Sequence, residues 1–225
     1  MDRVGIHASP DWRVLDFGSG WGRITRFFLR EARLANIAGL DVDPQFVTLS
    51  NQLFGEEIFH TCAPLPPSLF AAESFDLVTA FSVFSHLSET ACRLWVDEFA
   101  RILKPGGLFA FTTRNEWFLD FCSQVPADTP IGHMRVLRTL FADWEDVRRR
   151  FRAGEFVHTA TGGGGVRDSS YYGESFIPRS YIEREYSRDF DLVMTSDAPQ
   201  PGNARRAISD RNAEYDQALF ILRRR

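Results

Sequence analysis

Val14-Leu-Asp-Phe-Gly-Ser-Gly-Trp-Gly-Arg23 decides how this chain folds. An apolar run fit for a buried strand ends in an acid. Three alternating glycines follow, and then a segment with helical apolar spacing, Arg23–Ala32, whose Ile24, Phe27 and Phe28 share one face. The glycine spacing is G-x-G-x-G. The dinucleotide fingerprint places its third glycine one position later.

Outward from this stretch, strand and helix alternate. Asn36–Val42 is an apolar strand ending in Asp41, and Pro44 opens a helix to about Phe54, as proline does in a first turn. Asp43 is placed to cap that helix. Ile58–Cys62 reads as a third strand. Pro64, Pro66 and Pro67 enforce a loop. Phe75–Phe81 is apolar throughout, as in a strand covered on both faces. Ser88 caps a helix in which Cys92, Trp95, Phe99 and Ile102 recur at helical spacing. Pro105-Gly106-Gly107 ends it and leads into a fifth strand, Leu108–Thr113. This order predicts an α/β fold: a doubly wound, mostly parallel seven-stranded sheet with an antiparallel last strand and helices on both faces.

The rhythm then breaks. Roughly 65 residues separate strand five from the next helix, Arg179–Arg188, far more than an ordinary connection. Within residues 114–178, Leu137–Arg152 reads as a helix and Gly162–Gly165 as a flexible run, a disordered surface loop or a hinge. The segment is a candidate substrate cap within a single domain, 1–225. Phe190–Ser196 and Gln217–Leu222 read as the last two strands, joined by a polar loop, Pro199–Glu214. Arg223-Arg224-Arg225 reads as a solvated chain end.

The bulk properties exclude several classes. The chain has 225 residues, 44% hydrophobic, with a net charge of −4, which suits one full core and leaves no footprint for duplex nucleic acid. Three dispersed cysteines without C-x-x-C fit a reducing compartment and no zinc site. With no signal-type segment and no apolar run of 18 residues, a cytoplasmic protein without a membrane span is expected.

Parallel sheets bind ligands beyond the carboxyl ends of their strands. Gly18 and Gly20 let backbone approach a ligand there, and Gly22 lets the helix pack on the strand. Asp16 suits an ammonium better than a phosphate. Asp41 can accept hydrogen bonds from both ribose hydroxyls, as the NAD reading would equally require. Asp41-Val-Asp43 also matches the metal-binding D-x-D of a glycosyltransferase, though its place directly after a strand favours ribose. The glycine spacing tips the choice toward S-adenosylmethionine.

Four pieces in register then carry a family resemblance: Val14–Gly22, Gly39–Pro44, Phe75–Phe81 and Leu103-Lys-Pro-Gly-Gly-Leu108. Together they make the first half of the chain resemble a class I S-adenosylmethionine-dependent methyltransferase. Phe81-Ser-Val-Phe-Ser-His-Leu87 is similar to bacterial methyltransferases found with polysaccharide biosynthesis. The resemblance implies that Asp16, Gly18 and Gly20 border the methionine moiety. Asp41 would bind ribose and Val42 adenine, Cys62 and Ala63 would lie by the adenine edge, and Phe81 and Ser82 beneath the sulfonium. The family's N-terminal helix is nearly absent, so either the chain is truncated or the later segment covers the site.

The residues after strand four lack the Asp/Asn-Pro-Pro-Tyr/Phe element of base and glutamine methylation and the metal-binding acid of catechol-type enzymes. A metal-independent transfer to a small-molecule hydroxyl, of a sugar or glycolipid, is expected. His86 is the candidate base, its rival reading a structural histidine bonded to a neighbouring loop. Arg114, Asn115 and Glu116 face the crevice or form a solvated loop. Tyr171 and Tyr172 stack on a sugar or pack the cap. His133 and His158 read as surface residues. A non-catalytic S-adenosylmethionine-binding regulator and an NAD-linked oxidoreductase are the alternatives.

Overall fold

The computed structural model describes residues 9–196 and 217–225. One sheet in the order β3-β2-β1-β4-β5-β9-β8 organises the chain. β1 (Val14–Phe17), β2 (Ile37–Asp41), β3 (Phe59–Thr61), β4 (Phe75–Ala80) and β5 (Leu103–Thr113) run parallel. β9 (Ala218–Arg224) lies between β5 and β8 (Phe190–Ser196), antiparallel to both. The strand order reverses between β1 and β4, which sets the crevice at their carboxyl ends. A dense aromatic layer fixes that edge: Phe17, Phe84, Trp95, Phe99, Phe109 and Phe111 are all buried in one cluster.

The helices follow their caps. Asp43 accepts from Gln45 N–H to start α2 (Pro44–Phe54), and Ser88 accepts from Ala91 N–H to start α3 (Glu89–Ile102). Cys92, Trp95, Phe99 and Ile102 are buried on its inner face, as their spacing predicts. The first helix is shorter than its pattern implies. α1 covers only Thr25–Phe28, and Ile24 before it makes no side-chain cap. Phe27 is 55% exposed, so the expected apolar face does not form. Thr25 turns inward instead, because the buried Asp16 below it needs a donor.

β5 begins at Leu103, five residues earlier than expected. Lys104–Gly107 bulge out of it, since Leu103 pairs with Phe75 and Leu108 with Leu77. Residues 114–178 hold α4 (Glu116–Gln124), α5 (Gly132–Arg138), α6 (Trp144–Arg152) and a two-stranded sheet of β6 (Val157–Thr159) and β7 (Glu174–Phe176). The single helix expected over Leu137–Arg152 is two, because Asp143 caps α6 by accepting from Glu145 and Asp146 N–H. These helices close their own core around Phe118, Phe121, Phe151 and Phe176.

α7 runs Arg179–Glu185. Arg223 and Arg224 end β9 rather than form a free tip, while the side chains of Arg223 and Arg225 are exposed, as expected of a solvated end. Arg223 pairs with Leu108, Arg224 bonds the Leu103 carbonyl, and Arg225 meets Asp191 at 2.6 Å. The loop expected over Pro199–Glu214 and the side chain of His133 lie outside the described residues. Among the described residues no helix is long and apolar enough to cross a membrane.

Candidate active site

The loop after β1 is bound to the end of β2. Gly18 and Ser19 N–H both donate to the Leu40 carbonyl, at 2.7 and 3.2 Å. Gly20 N–H donates to Asp41 Oδ2 at 2.8 Å, and Asp43 N–H to Asp41 Oδ1 at 2.9 Å. Asp41 is therefore a fixed carboxylate whose oxygens keep further acceptor capacity. Gly18 and Gly20 have φ of +69° and +53°, where side chains are strained. A Cβ at Gly18 would stand 2.3 Å from Val83 Cγ2, while one at Gly20 would meet nothing within 4 Å. The first glycine serves packing against the segment after β4, and the second leaves room at the crevice. At Gly22 the close neighbour is Phe54 of α2, 2.6 Å from a built Cβ, rather than the strand.

A cavity of about 190 Å³ opens here. Its walls include Phe17, Gly18, Gly20, Asp41, Val42, Phe46, Cys62, Pro64, Ser82 and Val83 from the sheet, and Arg167, Tyr171 and Tyr172 from the segment between β5 and α7. A second cavity of about 110 Å³ adjoins the glycine loop and is lined by Asp16, Arg23 and Phe81 among others. The structure thus brings Gly18, Gly20, Asp41, Val42, Cys62 and Ser82 together, with Asp16 and Phe81 one compartment away. Ala63 lies between the wall residues Cys62 and Pro64. Burial pushes the Cys62 thiol up to about 12, with the charge of Asp41 adding to the rise; it is a packing thiol at neutral pH.

Asp16 is 1% exposed and accepts from Thr25 Oγ1 at 2.6 Å and Thr79 Oγ1 at 3.2 Å. Burial nonetheless pushes its carboxyl from 3.8 up to about 6. The folded state therefore holds a proton that the unfolded state has lost, between about pH 4 and pH 6. The stability from this residue is complete below about pH 4 and is lost as pH rises through about 6. Asp16→Asn is expected to flatten that part of the melting-temperature profile. A cation seated against Asp16 reverses the deficit, so S-adenosylhomocysteine, which carries the same ammonium, is expected to bind tighter at pH 7 than at pH 5. Calorimetry at both values, with Asp16→Asn as control, checks this.

Ser82 has φ +59°. A closed ring holds this strained residue: Ser82 N–H donates to Thr112 Oγ1 at 2.8 Å, Thr112 donates to Gln217 Oε1 at 2.6 Å, and Gln217 Nε2 donates to Ser82 Oγ at 2.8 Å.

His86 stacks face to face on Tyr172, with centroids 5.0 Å apart and planes 3° from parallel. Its Nδ1 is 2.9 Å from the Gly173 carbonyl and 3.3 Å from Glu174 Oε1. Both partners are acceptors, so Nδ1 carries a hydrogen. Glu174 also meets Arg114 Nη2 at 3.4 Å. Burial works to raise the Glu174 carboxyl, but His86 and Arg114 outweigh it and hold it below the usual range. Arg114 lies 3.9 Å over the Phe118 ring. Asn115 caps α4, accepting from Phe118 N–H at 3.0 Å, and Glu116 pairs with Arg152 at 2.5 Å. His158 is not a free surface residue: its Nδ1 is 2.8 Å from Ser175 Oγ.

The glycine run is an ordered turn, not a disordered loop. Gly162 N–H donates to the Tyr172 carbonyl, Gly163 N–H to that of Arg167, and Arg167 N–H to that of Gly164. Gly162, Gly164 and Gly165 have φ of +66°, +73° and +58°. A Cβ at Gly163 would stand 2.7 Å from Tyr172 Cε1. Gly163→Ala is expected to displace the Tyr172 ring and raise the acceptor KM several-fold while S-adenosylhomocysteine affinity holds. Steady-state kinetics beside calorimetry would show it. Arg167, Phe46, Val83, Glu174 and Gln217 were not singled out from sequence. Phe46 had a signal in the first turn after Asp43-Pro44, and Val83 in the stretch Phe81–Leu87.

Residues 15–111 match the family model of a methyltransferase domain. The malonyl-[acyl-carrier protein] O-methyltransferase of Halorhodospira halophila is 29% identical over 231 aligned positions, covering 99% of this chain and 70% of that protein. The ubiquinone biosynthesis O-methyltransferase of Nitrobacter winogradskyi is 29% identical over 119 residues, 51% of this chain and 43% of that protein. A crystal structure of a putative S-adenosylmethionine-dependent methyltransferase from Listeria monocytogenes superposes with a TM-score of 0.64 at 12% identity. The match covers 100% of this chain and 94% of that one, a likeness of fold. With the strand order, the glycine loop tied to Asp41 and the matched domain agreeing, residues 15–111 carry a methyltransferase domain, and the fold around it is that of S-adenosylmethionine-dependent methyltransferases.

Proposed function

We propose that this enzyme methylates the hydroxyl of a small molecule, and that residues 114–178 form the cap over its acceptor. One observation carries the reading. A single cavity joins the cofactor groups Gly18, Gly20, Asp41 and Val42 to Tyr171 and Tyr172, which the capping segment supplies. The segment is sewn to the edge of the site. Gly173 N–H donates to the His86 carbonyl at 2.7 Å, Ser175 N–H to that of Ser85 at 2.8 Å, and Ser88 N–H to that of Tyr171 at 2.8 Å. The two curated relatives are both named O-methyltransferases, which is in line with an oxygen acceptor.

In this reading Asp41 holds the ribose, while Val42, Phe46 and Cys62 flank the adenine. Asp16 and Arg23 in the second cavity face the ammonium and carboxylate of the amino-acid end. When bound, S-adenosylmethionine supplies a methyl carbon already activated by its sulfonium. The chain aligns an oxygen in line with it, excludes water and removes the hydroxyl proton. His86, which stacks on the wall residue Tyr172 but does not itself line the cavity, is the candidate base, with Nδ1 held by Gly173 and Glu174 and Nε2 left to take the proton. Glu174 positions that ring and stabilises the charge it gains. The proposed transfer is metal-independent.

Transfer of labelled methyl groups onto a small-molecule extract tests this. An ether-linked label, stable to mild base, is expected. A base-labile label, released as methanol from an ester, would instead assign a carboxyl acceptor. Tight binding of S-adenosylhomocysteine without any transfer would favour the regulatory reading.

A further inference from the structure

Arg167 is the feature that neither the cofactor nor the proposed base accounts for. It lines the main cavity beside Tyr171 and Tyr172. Its charge acts on both hydroxyls: burial raises both tyrosines, and Arg167 opposes that rise in each. Arg167 is half-buried, and a Cβ built at Gly163 would stand 3.1 Å from Arg167 Cβ and 2.7 Å from Tyr172 Cε1, so the two side chains leave the turn side by side.

Its neighbours leave it available. Among the described residues no carboxylate pairs with Arg167, and its one side-chain hydrogen bond is a long one, 3.5 Å from Nε to the Gly164 carbonyl. The adjacent Asp168 is turned elsewhere, accepting from Ser170 N–H at 2.8 Å. Asp41, the carboxylate in the cavity wall, is held by Gly20 and Asp43 N–H. The Tyr171 hydroxyl is committed to the Val166 carbonyl at 2.7 Å, which locks the turn in place. The Tyr172 hydroxyl has no hydrogen-bond partner among the described residues, so the wall that carries Arg167 also offers a second donor.

The backbone is built to present this side chain. Gly162, Gly164 and Gly165 take the left-handed conformation and Gly163 is crowded by Tyr172 and Arg167, and the turn's own hydrogen bonds join Gly163 and Gly164 to Arg167. The cofactor's carboxylate does not call for Arg167, because Arg23 lines the second cavity next to Asp16, where the amino-acid end sits. A planar guanidinium in a partly enclosed cavity matches a two-oxygen anion.

We infer that the acceptor of this methyltransferase carries an oxyanion, a carboxylate or phosphate, that docks on Arg167 and Tyr172 while its hydroxyl is methylated. The inference rests on the proposed hydroxyl reading and adds the charge of the substrate to it.

The test offers the enzyme matched sets of small hydroxyl compounds with labelled S-adenosylmethionine: hydroxy acids such as 4-hydroxybenzoate and 3-hydroxybutyrate, their amides, and phosphate monoesters that keep a free hydroxyl, such as 4-hydroxyphenyl phosphate. At least about tenfold higher kcat/KM is expected for an anionic member than for its amide, as for loss of one charge-assisted hydrogen bond. Which anion leads tells carboxylate from phosphate. Arg167→Gln is expected to shrink the preference below about threefold while the S-adenosylhomocysteine Kd stays within about twofold. Three results would overturn the inference: amides used as well as anions, no transfer to any anion of the panel, or an S-adenosylhomocysteine affinity that falls with Arg167→Gln. Failure of the wild-type protein to bind S-adenosylhomocysteine would instead remove the methyltransferase site itself.

Discussion

Asp41→Ala is expected to weaken S-adenosylhomocysteine binding by roughly ten- to a hundredfold. Each charge-assisted hydrogen bond from a ribose hydroxyl is worth about 1.5–3 kcal/mol, and about 1.4 kcal/mol is a factor of ten in Kd. The substitution also frees Gly20 and Asp43 N–H, which now donate to the carboxylate at 2.8 and 2.9 Å. The glycine loop then loses its tie to the end of β2, so the melting temperature falls as well. Asp41→Asn separates the two effects: its amide oxygen can still accept from one of these groups, while the charge is gone. Calorimetry on both variants measures the cofactor effect. Native affinity in Asp41→Ala would remove this residue from the site.

The second large effect is on turnover. His86→Ala is expected to lower kcat by about a hundredfold, the lower range for general base catalysis, with S-adenosylhomocysteine affinity nearly unchanged. The ring also stacks on Tyr172 and bonds Gly173, so a purely structural histidine would instead raise the acceptor KM and lower stability. Glu174→Gln distinguishes these. It keeps an acceptor near Nδ1 but loses the charge that steadies the imidazolium, and about tenfold in kcat is expected to go. Unaltered kcat in His86→Ala would eliminate it as the base.

The half of the fold that lies in the sheet was legible because its signals are local. β1, β2, β4 and α3 are apolar runs bounded by glycine, proline or caps, and each forms within a residue or two of its expected bounds. Asp41 and the glycines were legible because chain order puts them at one sheet edge. The failures have physical causes. α1 is short because the buried Asp16 draws in Thr25, a tertiary demand invisible in the pattern Ile24, Phe27, Phe28. The terminal arginines look like a tail until β9 is seen to pair with both β5 and β8. Gly162–Gly165 carries no periodicity, and only the contact with Tyr172 explains why Gly163 must lack a side chain. Arg167, Glu174 and Gln217 reach the site through long-range pairings: residues 171–175 beside 85–88, and β9 beside β5. No local spacing encodes those.

The central claim is that the β1–β4 crevice binds S-adenosylmethionine through Asp41. Its most direct test is a calorimetric titration of the wild-type protein with S-adenosylhomocysteine, with NADH titrated in parallel. One-to-one binding of S-adenosylhomocysteine and no heat with NADH are predicted. Binding of NADH, or no binding of S-adenosylhomocysteine, would contradict the account.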